Sequence, residues 1–147
     1  MNIDHGTWVA VCDGGKFLLL QNRGDTEVLD LRVVAHEELD TGTRPGRADR
    51  GPSPDGAQAL VGRSQTRSVE ELSEHRFVHS VAAELDERVR IGSINKMVLV
   101  ADPKTLGLMR ARFQDLTRDA ISEEIGGDFA HNTVVEVEAL LTRYKAS

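Results

Sequence analysis

Two aspartates each stand directly after a short apolar run: Asp13 after "WVAVC" and Asp102 after "MVLVA". Carboxylates at the ends of buried strands can hold divalent ions, and a pair of such ions polarises a phosphate and activates water. The same positions also suit structural work. Asp13 precedes Gly14-Gly15, where its side chain can close a turn. Asp102 precedes Pro103, where it can cap a helix. The turn and the cap are the first reading, and a metal-dependent phosphodiesterase or nuclease using Asp13 and Asp102 is the alternative. Lys16 and Lys104 lie three and two residues further on, where they can pair with these acids or hold an anion.

A second group is basic. "RPGRADR" sets Arg44, Arg47 and Arg50 within seven residues. Guanidinium groups make two-pronged contacts with phosphate or carboxylate. A solvated insertion is the first reading of such a segment, and one that orders on binding RNA, a nucleotide or an acidic protein surface is the alternative. No aromatic residue is interleaved with the arginines, so base stacking is not part of that expectation. His75 and His79 are four apart, with Glu71 one turn earlier, which places all three on one helix face. That face reads as solvated or as an interface, since the HExxH pattern of helical zinc sites is absent. Cys12 is the only cysteine, so it reads as a small buried apolar group. "DGGK" lacks the spacing of a phosphate loop, and there is no GxSxG elbow. No catalytic residue, metal site or cofactor is assigned.

The elements that must position these residues follow from the apolar patterning. Thr7 to Asp13 reads as a strand, with Gly14-Gly15 expected to supply the positive φ angles of a hairpin turn. Lys16 to Gln21 returns, and Glu27 to Glu37 makes a third strand. Residues 40 to 67 hold three of the four prolines and five of the thirteen glycines, without apolar periodicity. They read as one long flexible loop. Ser68 with Glu71 then suggests a capping box opening a helix to Arg90, with Gly92 as its stop. "KMVLVA" is short and wholly apolar, as for a strand buried on both faces. Pro103 opens the next helix, carrying Leu106, Leu108, Met109 and Phe113. Residues 119 to 126 form a weaker strand, and Asn132 or Thr133 caps a last helix.

An antiparallel β-β-β meander followed by α-β-α-β-α implies right-handed crossovers and parallel strands. The expected fold is α/β, a three-layer mixed sheet with helices on both faces. At 147 residues the chain suits a single domain spanning 1–147. Its net charge of −6 excludes a general nucleic-acid binder unless positive charge is gathered locally. Residues 40 to 67 do gather it: five arginines against three aspartates. There is no signal-like leader and no apolar run of membrane-spanning length. A cytoplasmic, bacterial-type protein without membrane contact is expected.

The element order resembles the ribonuclease H-like group, including the middle domain of archaeal and eukaryotic-type peptide-chain release factors. The segments "TWVAVCDGGKFLLLQNRG", "RPGRADRG", "EHRFVHSVAAEL" and "KMVLVADPKTLGLMR" together resemble the bacterial host-attachment protein family, described as required for attachment to host cells. That resemblance runs from Trp8 to about Tyr144. It implies that the strands ending at Asp13 and Asp102 are neighbours, so that both acids share one rim of the sheet. The function it implies is a non-enzymatic binding or regulatory module, RNA- or ribosome-associated. Its candidate ligand-binding residues are Asp13, Lys16, Arg44, Arg47, Arg50, Asp102 and Lys104.

Overall fold

The computed structural model describes residues 3–39 and 52–144, and over 52–68 the helical backbone alone. The strands are β1 (Trp8–Cys12), β2 (Lys16–Asn22), β3 (Leu31–Glu38), β4 (Met97–Ala101) and β5 (Ile121–Gly126). The helices are α1 (Pro52–Arg90), α2 (Pro103–Arg112), α3 (Asp115–Ala120) and α4 (Val134–Arg143). The strands form one sheet in the order β3-β2-β1-β4-β5. The two pairings within the meander are antiparallel, and β1–β4 and β4–β5 are parallel. This is the mixed α/β architecture expected.

Uniformly apolar strands occupy the centre, because only there are both faces of a strand covered. Every residue of β1 and of β4 is buried. Trp8, Ala10, Cys12, Met97, Leu99 and Ala101 face one core, built with Val78, Val81 and Leu85 of α1 and Leu106 and Met109 of α2. Val9, Val11, Val98 and Val100 face a second core against Val137 and Leu141 of α4. Alternation along the strand thus feeds two cores at once, and the sheet is the middle of three layers.

Some boundaries differ from those expected. The long helix begins at Pro52, so 52–67 is helical where a loop was expected, and Ser68 lies inside the helix instead of capping it. Two prolines in the first turn conceal this start, yet a first-turn proline lacks only an N–H that has no helical partner anyway. The third strand starts at Leu31, and the residues before it form a turn. There Asp25 Oδ1 accepts the Glu27 and Val28 amides at 2.9 Å each. The short α3, absent from the sequence reading, precedes β5. Gly92 does end the long helix, at φ 83°, with its N–H donating to Val89 O at 3.0 Å. Arg44, Arg47 and Arg50 lie outside the described residues.

Candidate functional site

The pairing of β1 with β4 decides the geometry. Trp8 lies opposite Met97 and Cys12 opposite Ala101, so the next residue of each strand, Asp13 and Asp102, emerges at the same end of the sheet. The proposed rim therefore exists.

Asp13 builds the turn. Its Oδ1 accepts the Gly15 and Lys16 amides at 2.7 Å each, and its own N–H donates to Lys16 O at 2.9 Å. Neither glycine of this turn has a positive φ; among the described residues only Gly6 and Gly92 do. Gly14 serves close approach instead: a Cβ there would lie 3.1 Å from the carboxyl carbon of Glu74 on α1. Gly14 thus lies close against the end of the Glu74 side chain, and turn handedness does not call for a glycine there.

Asp102 builds the cap of α2. Its Oδ2 accepts the Thr105 amide at 3.2 Å, and its Oδ1 accepts the Thr105 hydroxyl at 2.6 Å. Thr105 is only 2% exposed, so this hydroxyl depends on the carboxylate for its partner.

The strand-end loop after β5 completes the rim. Gly127 N–H donates to Ala101 O at 2.9 Å, which draws the chain back across the end of β4. A side chain at 127 would overlap the Phe129 ring. Ala130 is fully buried in the second core. His131, next in line, reaches Asp13, with Nε2 3.1 Å from Oδ2. His131 had no expected role: it is 118 residues from Asp13 in sequence, and no local spacing links them.

The lysines stand at the same end of the sheet. Lys16 is half-buried at the start of β2, and Lys104 is exposed in the first turn of α2. Among the described residues, neither forms an ion pair with Asp13 or Asp102. Cys12 sits beneath the rim at 1% exposure, and its thiol donates to Asp13 O at 3.3 Å. Burial pushes that thiol up from its ordinary range, and the charges of Asp13, Asp102 and Glu37 push the same way.

The rim's carboxylates are thus largely committed to the fold. Among the described residues, no three histidine, cysteine or acidic groups gather as a metal-binding set. His75 and His79 are half-buried on α1, and Glu71 is exposed. A hollow of about 550 Å³ lies elsewhere, beside β5. There Arg110 donates to Glu124 at 2.7 Å and Arg118 to Asp115 at 3.2 Å, so its guanidinium charge is already matched. Among the described residues, no helix is long and apolar enough to cross a membrane.

No curated protein matches the chain. Residues 6–141 match a family of release-factor type, and the description of that family makes no reference to host attachment. The match spans all five strands and reaches into α4, which covers the rim and every buried core residue but Ile3. The chain belongs to the bacterial archaeo-eukaryotic release factor family 12.

Proposed function

We propose that the protein is a non-catalytic module that binds the ribosome or its RNA, using the rim around Asp13, Lys16, Asp102 and Lys104 together with Arg44, Arg47 and Arg50. One observation carries the reading: the rim acids already serve the protein's own turn and cap. Family membership supports a role in translation. Lys16, Lys104 and the three arginines supply the phosphate-binding chemistry that an otherwise acidic chain lacks. On this reading the protein acts in the cytoplasm. An attachment phenotype, as in the host-attachment proteins it resembles, is then a downstream effect of altered translation.

Sedimentation of the purified protein with ribosomes through sucrose gradients tests this. Co-sedimentation is expected at low salt and is expected to fall as salt rises, because phosphate contacts release counterions. Replacing Arg44, Arg47 and Arg50 with alanine should weaken binding and flatten the log–log salt dependence by up to about one per lost contact. Absence of co-sedimentation at low salt overturns the reading. So does magnesium-dependent RNA cleavage that Asp13→Asn abolishes.

A further inference from the structure

The two end strands of the sheet differ in a way that the rim does not explain. Among the described residues, β3 pairs with no strand but β2, and β5 with no strand but β4. An open strand edge is a template for another strand. β3 is also the longest strand, and Val33 and Val34 at its middle are 44% and 42% exposed.

Consider each edge laid antiparallel against its own copy about a two-fold axis. For β5, Glu123 and Glu124 stand in register with Val98 and Leu99 and so on opposite faces, and a two-fold axis on either one sets that glutamate against its own copy. Like charges directly opposite are unfavourable. For β3, centred between Val34 and Ala35, Val33 falls opposite His36 and Val34 opposite Ala35. Arg32 then falls opposite Glu37, twice by symmetry. β5 repels itself, whereas β3 is complementary to itself.

The faces agree as well. Arg32 is in register with Gln21 and Glu37 with Phe17, across a bulge that adds one residue to β3. Gln21 and Phe17 share a face of β2, so Arg32 and Glu37 both stand on the α1 side. There Glu37 lies against Glu84 of α1, with the Arg88 guanidinium 3.2 Å from Glu84. A second cation beside this carboxyl pair would be favourable. Arg32 is free to provide it in a dimer, since its present partner Asp30 is an exposed one at 2.8 Å and such pairs exchange readily. Glu138 of α4 accepts the Leu31 amide at 2.7 Å, which closes the first position of the edge; among the described residues the other positions are open.

We propose that β3 is a homodimer edge, pairing antiparallel with β3 of a second copy through Val33–His36 contacts and two Arg32–Glu37 ion pairs. The interface is isologous, so it closes at two copies. Its occupant is a second copy of this chain because the edge's charges match their own two-fold image.

Sedimentation equilibrium of the full chain, from low micromolar to near-millimolar concentration, tests the proposal. The wild type should reach a dimer, with no larger species. Arg32→Glu and Glu37→Arg should each weaken association about tenfold or more, and the double substitution should restore it. Val33→Lys, at a side chain exposed on the folded subunit, should also leave a monomer and does not depend on the charges. Circular dichroism confirms that each variant is folded. A wild type that stays monomeric overturns the proposal, as does a dimer indifferent to all three single substitutions or a double variant that fails to recover. Ribosome binding is measured separately, so either outcome there leaves this result readable.

Discussion

Asp13 shows how one residue can be read correctly in type and incompletely in role. Its position before two glycines identifies a turn, and the turn is there. Asp13→Ala removes two charge-assisted hydrogen bonds and the contact with His131, and should cost about 1–3 kcal/mol in urea unfolding. Asp13→Asn retains a carbonyl acceptor for the two amides and should cost less. If the rim is a docking surface, both variants should still bind ribosomes once folded. Asp102 was equally legible, because an aspartate before proline is a helix-cap signature. His131 was not: its partner is reached only by a loop that crosses the end of β4, and contact at that separation leaves no trace in spacing. The contact at Gly14 was hidden for the same reason, since Glu74 belongs to a helix sixty residues away.

Among the elements, those with a strong single period were legible. β1 and β4 announce themselves as continuous apolar runs, and the last helix begins with a true capping box between Thr133 and Glu136. The start of α1 was not legible, because proline and glycine in 52–62 read as loop residues while helical hydrogen bonding tolerates prolines in a first turn. The turn between β2 and β3 shows a further kind of hidden constraint. Asn22 is fully buried, its side-chain oxygen accepting the Gly24 and Asp30 amides at 3.0 Å each and its amide donating to Ile3 O at 2.9 Å. A Cβ at Gly24 would overlap the Val28 carbonyl oxygen. Backbone cannot retreat as a side-chain tip can, so Gly24→Ala should destabilise by about 1–3 kcal/mol, read as a lower denaturation midpoint at unchanged slope.

On the scale of the molecule, the contact between the meander and the long helix carries a pH dependence. Glu37 of β3 is held above the ordinary glutamate value, first by its hydrogen bond with Glu84, then by burial, then by the charge of Glu84, with Arg88 opposing. A carboxyl whose pKa is raised by folding contributes stability while it is protonated, and that contribution is lost as pH rises through the folded value. The unfolded chain titrates near 4.5, so the loss begins above that point. Glu37→Gln should therefore match the wild type in acid and melt higher than it at neutral pH, a comparison that thermal melts of dilute protein at both pH values can make. The parallel seam between β1 and β4 has a different consequence, for synthesis. Strand β1 is fully enclosed in the folded protein, yet its neighbour on one side begins only at Met97. Until Met97–Ala101 has emerged from the exit tunnel, the nascent meander presents a sticky, half-built hydrogen-bond ladder, a state that chaperones would shelter during translation.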